Sequence, residues 1–210
     1  MKKISGFAGL LAVALLFQAH SAAAAPKRAV ISNLQGSATI VRDGQTLPAS
    51  AGMVCEKKDV IRTGPQCTLD LAMNDVAGCR LLASTEGALM KVGKRNMHLK
   101  IASGNAILNL KRLSPASTFK VETPTAVAAV RGTQFWGRVD LQKAENPVTT
   151  FAVRSGTVEV LDKASGKNFT LQQGQALDIP KDMTTPPSTR TALAGEMAAM
   201  EQASSIKTSA

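Results

Sequence analysis

Apolar and polar residues alternate with a period of two along much of the chain between residues 30 and 180. Successive side chains of a strand point to opposite faces of the sheet, so this pattern is typical of strands with one buried face. The segments that show it are 37–41, 59–64, 67–71, 98–101, 106–110, 118–121, 150–153, 157–160, 168–171 and 176–179. No sustained helical period occurs in this region, so the pattern predicts an all-β domain of many short strands.

Strands that begin at a glycine recur loosely along this region, at GSATIV (36–41), GNAIL (104–108) and GTVEVL (156–161). A repeat with similar spacing favours stacked units, because one unit alone cannot bury its apolar face. We therefore expect a β-solenoid-like, β-roll arrangement.

The first 25 residues have the pattern of a secretory signal peptide. Lys2 and Lys3 precede an apolar run at residues 6–17, and small residues follow up to Ala25. A membrane span needs about 20 apolar residues, so this run is too short to be one. We expect the mature chain, from about Pro26, to be periplasmic or extracellular and to contain no stable membrane span.

The composition changes after Ile179. A proline-rich polar linker follows, and residues 192–203 could form a short helix that Gly195 weakens. We therefore expect a β domain at residues 26–180. Residues 181–210 form a linker and a tail, which is either poorly ordered or a short helix against the domain or a partner.

The chain is basic, and this limits the partners that it can have. Loss of Lys2 and Lys3 with the signal peptide lowers the formal charge from +10 to +8. A basic exported protein can bind anionic lipid, polysaccharide or nucleic acid. The basic residues are scattered, however, and tyrosine is absent, so stacking platforms for nucleic acid are missing. We expect no nucleic-acid partner.

The three cysteines, Cys55, Cys67 and Cys79, are twelve residues apart. An oxidising compartment permits one disulfide among them, with a pairing that the sequence leaves open. The alternative is that all three are small buried residues. Zinc prefers four ligands, and His98 is the only histidine after the signal peptide, so we expect no metal or other cofactor.

The sequence offers little for catalysis. His98 lies in an alternating strand, the carboxylates are dispersed, and phosphate-binding glycine loops are absent. We expect a protein that is not an enzyme.

A charged residue interrupts a stretch of the chain that looks buried, TPTAVAAVRGTQFWGRV (123–139). Pro124 ends a strand, because it lacks the N–H that a central strand donates. We interpret Arg131 as a clamp whose five donors hold backbone carbonyls at a chain crossing. Gly132 permits the close approach, and Thr133 re-enters a strand. The alternative is that Arg131 binds an anionic ligand.

Phe135 and Trp136 are neighbours in the strand that follows, so they face opposite sides of the sheet. We expect Phe135 to point into the core. Trp136 is then either an exposed contact for a ligand or a half-buried packing residue.

The strand segments listed above, from GSATIV (36–41) to GTVEVL (156–161), and the stretch at 123–139 between them occur in an order that resembles the FecR domain. This domain is the periplasmic part of bacterial regulators of iron-siderophore signalling. The likeness covers roughly residues 30–179, and its most specific element runs from Pro124 through Arg131, Gly132 and Thr133 to Phe135. The loop at residues 74–79 is longer than the family's turn and holds a cysteine. The resemblance implies a β-solenoid-like domain that transmits or scaffolds rather than catalyses.

Regulators of this family also carry a cytoplasmic anti-sigma region and a membrane span. Because a signal peptide stands in their place here, we expect that the chain does not itself reach a sigma factor. The leading interpretation is a non-catalytic module that binds another envelope protein, through a sheet edge or an open end of the domain. The alternative is a module for anionic polysaccharide or peptidoglycan, with Trp136 as the sugar platform.

Overall fold

The computed structural model describes residues 29–93, 95–141, 146–181, 187 and 189–209. The expected signal peptide, at residues 1–25, lies outside the described residues. The first nine strands are β1 Ala29–Gln35, β2 Ala38–Arg42, β3 Gln45–Pro48, β4 Val54–Cys55, β5 Val60–Thr63, β6 Thr68–Met73, β7 Ala77–Leu81, β8 Glu86–Val92 and β9 Asn96–Leu110. The following strands are β10 Thr118–Glu122, β11 Ala126–Val130, β12 Gln134–Asp140, β13 Val148–Ser155, β14 Thr157–Asp162, β15 Asn168–Gln172, β16 Gln175–Pro180 and β17 Arg190–Thr191. A helix α1 (Ala194–Ala199) and a 3-10 helix (Glu201–Ser205) complete the described chain.

The strands form two sheets that share β9. Sheet A has the order β4-β1-β6-β7-β9-β12-β13-β16-β17, and sheet B has the order β3-β2-β5-β8-β9-β10-β11-β14-β15. The first part of β9 pairs within sheet B, and the part from Gly104 onwards pairs within sheet A. One strand therefore ties the two layers together.

The inner faces of both sheets contribute to one hydrophobic core. Phe119 of sheet B and Phe135 and Phe151 of sheet A are completely buried in it. The rings of Phe135 and Phe151 pack at a centroid distance of 6.2 Å, a separation at which tilted aromatic pairs attract. The inward orientation predicted for Phe135 is confirmed.

The all-β prediction is confirmed for the described residues, and the solenoid-like winding stays a prediction. The ladders are antiparallel apart from β9 with β10, as far as the described strands show. None of the helices in the described ranges is long and apolar enough to cross a membrane.

A second, smaller hydrophobic cluster lies on the outer face of sheet A. There Trp136 and Ile107 pack against Met200, Ala203 and Ile206. We call residues 190–209 the C-terminal segment. It begins with β17, which pairs with β16, and it continues as α1 and the 3-10 helix over this face. Of the two expectations for the tail, the short helix against the domain is the one observed.

Candidate interaction surface

The segment around Arg131 carries the chain from one sheet to the other. β11 lies in sheet B between β10 and β14, and β12 lies in sheet A. Gly132, at the crossing, has a φ of 100°, and a Cβ there would lie 2.7 Å from the Cα of Arg112. Only glycine fits both the backbone conformation and the space. Thr133 is buried, and its hydroxyl donates to the Thr157 carbonyl at 3.1 Å.

Arg131 itself is exposed, which differs from the clamp expected from the sequence. It makes no hydrogen bond or ion pair with the part of the chain that the structure describes. The reason is strand parity. Val130 points into the core, so Arg131 follows Ala129 onto the outer face of sheet B. Ala126, Ala128 and Val130 are buried on the inner face, and Val127 and Ala129 lie on the outer face with Arg131.

Arg131 lines a surface cavity of about 230 Å³ on the outer face of sheet B, and we call this cavity the Arg131 pocket. Lys120, Ala129 and Glu159 lie opposite one another on three adjacent strands. Neighbouring strands are about 4.8 Å apart, so the backbones of Lys120 and Glu159 are separated by about 10 Å. The short Ala129 side chain leaves the space between them open. Thr118 and Thr157 line the pocket beside Arg131.

The charged groups of the pocket contrast with those beside it. Next to the pocket, Glu122 is engaged by Lys163 at 2.9 Å and lies 2.9 Å from Nε2 of His98. The hydrogen bond from Lys163 holds the pKa of the Glu122 carboxyl below its ordinary value. Lys120 and Glu159 are exposed, and neither has an ion pair or side-chain hydrogen bond within the described residues. The pocket therefore presents unpaired charges of both signs.

Comparison with known proteins identifies the domain. Residues 59–159 match the model of the family described as FecR protein, a range that includes the whole Arg131 pocket. The chain contains a FecR domain. A search of curated protein sequences gave no significant match.

Two crystal structures of a protein from Parabacteroides distasonis ATCC 8503, at 2.50 and 1.65 Å resolution, resemble the FecR chain in fold. Each is described as a "putative anti-sigma factor". Both align with a TM-score of 0.57 and 19% sequence identity, over 68% of this chain and 64% of theirs. The FecR chain thus spans less than two thirds of the length of these proteins.

Pro124 begins the family-like segment, and Trp136 follows its last residue. Pro124 is exposed in the turn between β10 and β11, as its missing N–H predicts. Trp136 lies on the outer face of sheet A, but only 7% of it is exposed, because Met200, Ala203 and Ile206 cover it. The sequence-based alternative of an exposed contact at Trp136 is therefore wrong.

Polar contacts hold the C-terminal segment against the FecR domain. Arg190 donates to Asp178 of β16 at 2.8 Å and to Glu196 of α1 at 2.6 Å. Burial raises the pKa of both carboxyls. The hydrogen bonds and the charge of Arg190, together with a hydrogen bond from the Thr150 hydroxyl to Asp178 and one from the Leu193 N–H to Glu196, bring each pKa below its ordinary value. Arg80 also donates to the Gln202 side chain at 2.8 Å. The segment is therefore bound to the domain by specific contacts at β17 and at the 3-10 helix.

The sequence contains a short helical pattern that indicates this docking, although the strand patterns dominate the rest of the chain. Met197, Met200, Ala203 and Ile206 are spaced by three residues and form a helical stripe. In the structure this stripe contributes to the cluster around Trp136.

The cysteines are buried and unpaired, so of the two alternatives the structure shows small buried residues. Cys79 lies in the middle of sheet A, opposite Leu71 on one side and Leu108 on the other. Burial raises the pKa of Cys55 to about 12 and also raises the pKa values of Cys67 and Cys79. Across the described ranges, no three His, Cys, Asp or Glu side chains form a group that could hold a metal ion.

Proposed function

We propose that this chain is an exported, non-catalytic interaction module that binds another protein of the cell envelope in signalling. The observation that carries the proposal is the Arg131 pocket, where Lys120, Arg131 and Glu159 are exposed and unpaired on an open sheet face. Membership of the FecR family supports the signalling context. The fold shared with the P. distasonis protein supports the same context.

The geometry favours the face of sheet B over that of sheet A. The outer face of sheet A is occupied by the C-terminal segment around Trp136. The outer face of sheet B carries charged and small residues, among them Lys120, Ala129 and Glu159. Charged groups on a rigid sheet steer a partner of complementary charge and fix its register.

Capture from an envelope extract tests this function. The purified protein, immobilised through its C-terminus, should retain one envelope protein reproducibly, and Arg131→Ala should release it. Lys57→Ala is the matched control, because Lys57 is exposed in the turn before β5 and lies outside the pocket. Equal capture by the wild type and by Arg131→Ala would place the partner elsewhere, and no specific capture would reject the module itself.

A further inference from the structure

The three charges of the Arg131 pocket do not neutralise one another. Lys120 and Glu159 lie on either side of Ala129, and no ion pair joins them. On adjacent strands, opposite charges that face each other pair readily. Lys120 and Glu159 are separated by the strand of Ala129, whose short side chain leaves room between them for a foreign group.

The order of charges across the pocket is asymmetric. The ammonium group of Lys120 and the guanidinium of Arg131 are the two cations, and the carboxylate of Glu159 stands across the alanine from Lys120. A guanidinium presents a planar fork that matches a carboxylate, and an ammonium adds a point charge. A purely anionic ligand would meet repulsion from Glu159, and a purely cationic ligand would meet repulsion from Lys120 and Arg131.

We propose that the Arg131 pocket binds an extended peptide segment of the partner that carries a carboxylate and a cationic side chain on the same face. Arg131 and Lys120 hold the carboxylate, and Glu159 holds the cation. In an extended strand, residues i and i+2 share a face and lie about 7 Å apart, which suits a pocket bounded by strands about 10 Å apart. This inference rests on the proposed function and names the chemistry that the partner must present.

A peptide fits this surface better than an anionic polysaccharide does. Sugar rings pack on exposed aromatic side chains, and no Phe or Trp among the described residues is exposed. Trp136, the one tryptophan of the chain, is covered by the C-terminal segment. A polymer with a charge on every ring would also place repeated negative charges against Glu159.

The backbone holds the pocket in a fixed shape before any ligand arrives. Lys120 and Glu159 sit in paired strands, and Gly132 is packed against the backbone of Arg112, so Arg131 leaves the sheet from a fixed position. Binding then orders only the long side chains, which lowers its entropic cost.

Titration of the isotope-labelled full-length protein, followed by NMR, tests the inference. The probe is acetyl-Glu-Gly-Lys-amide, whose blocked ends leave only the two side-chain charges. We expect saturable shifts at the amides of Lys120, Ala129, Arg131 and Glu159. Arg131→Gln should weaken binding about tenfold, the factor expected when a charge-assisted contact is lost. Lys57→Gln should leave binding unchanged.

Glu159→Gln gives the sharper test, because Glu159 is the only acidic residue among the described residues that line the pocket. It should weaken binding of the Glu-Gly-Lys probe and strengthen binding of acetyl-Glu-Gly-Glu-amide, so that the preference between the two probes reverses. A merely structural role for Glu159 would change both affinities in the same direction.

Several outcomes would overturn the inference. They are an absence of saturable shifts at millimolar probe, shifts that Arg131→Gln does not change, or tighter binding of tri-galacturonate than of the peptide at these amides. Partner capture that survives Arg131→Ala would also overturn it while leaving the interaction module intact. Loss of all specific capture, with the peptide still bound at these amides, would instead reject the proposed function alone.

Discussion

Gly78 of β7 lies directly beneath Ile206 of the C-terminal segment. A Cβ added at residue 78 would come within 2.7 Å of Ile206 Cγ2 and within 2.6 Å of the Lys207 carbonyl oxygen. The segment therefore approaches the sheet backbone as closely as the absence of a side chain allows, and this closeness lets Ile206 join the cluster around Trp136.

Gly78→Ala should lift the end of the segment from the sheet. We expect a loss of about 1–3 kcal/mol in the free energy of unfolding, the usual cost of overpacking. The emission of Trp136 should shift to longer wavelength as water reaches it.

Gly195→Ala is the matched control, because a Cβ at residue 195 would meet nothing within 4 Å. Since Gly195 lies in α1, alanine should stabilise the protein by about 0.5–1 kcal/mol. Unchanged Trp136 emission in Gly78→Ala would contradict the tight fit.

Acid should release the C-terminal segment. The pKa values of Asp178 and Glu196 are lowered in the folded protein by Arg190. Groups with a lowered folded pKa add stability that is present above their unfolded pKa and is lost as the pH falls through the folded pKa. Docking should therefore be complete at neutral pH and weaken below about pH 4, near and under the ordinary pKa of carboxyls.

The pH dependence of Trp136 emission measures this release. In Arg190→Gln neither pKa is lowered by a cation, so the segment should be more weakly docked at neutral pH and its release should begin at higher pH. Lys163→Gln offers a control, because Lys163 pairs with Glu122 on sheet B. Superimposable curves for the wild type and Arg190→Gln would rule out the ion pairs as the cause.

Stability should respond to Gly132 and not to its neighbour Arg131. Arg131→Ala removes an exposed side chain without a partner in the described chain, so we expect a change within about 0.5 kcal/mol. Gly132→Ala places a Cβ 2.7 Å from the Arg112 Cα at a φ of 100°, so we expect a loss of about 2 kcal/mol or more. Urea denaturation measures the free energy of unfolding of both variants. A large loss of stability in Arg131→Ala would support the interpretation of Arg131 as a clamp.

We expect the three cysteines to be reduced thiols that are inaccessible to solvent in the folded protein. Cys55, Cys67 and Cys79 are buried and unpaired, and burial raises their pKa values, so little reactive thiolate forms. A thiol reagent should label all three only after denaturation without a reductant. Two labels fewer than expected would reveal a disulfide.

Strands with one solvent-exposed face, such as β10 and β14, could be predicted from the sequence, and β7, which is buried on both faces, could not. Residues 118–122 and 157–162 alternate and form β10 and β14 close to their predicted bounds. β7 is buried along its whole length, because the C-terminal segment covers the outer face of sheet A. AGCRL (77–81) has only Gly78 and Arg80 on its outer face, so its alternation is weak, and residues 77–79 belong to β7 although the sequence pattern places them in a long loop.

Long-range contacts account for the other differences. Residues 98–101 and 106–110 read as two strands because Gly104 interrupts the alternation, yet they belong to the single strand β9. The residues of the Arg131 pocket come from three strands, and only their register brings Lys120 and Glu159 to either side of Ala129. The family-like motif draws attention to Arg131 in the sequence. Its outward orientation follows from its position two residues after Ala129, because residues two apart in a strand lie on the same face.

The shared strand β9 has a mechanical consequence. Lys120 lies opposite His98 in the early part of β9, and the same unbroken backbone continues to Ile107 beneath the C-terminal segment. A pull on a partner held at Lys120 is thus transmitted to the opposite layer through covalent bonds and ladder hydrogen bonds. Because one strand belongs to both sheets, we expect the two layers to resist sliding past each other under such a load, so that the domain reorients as one body.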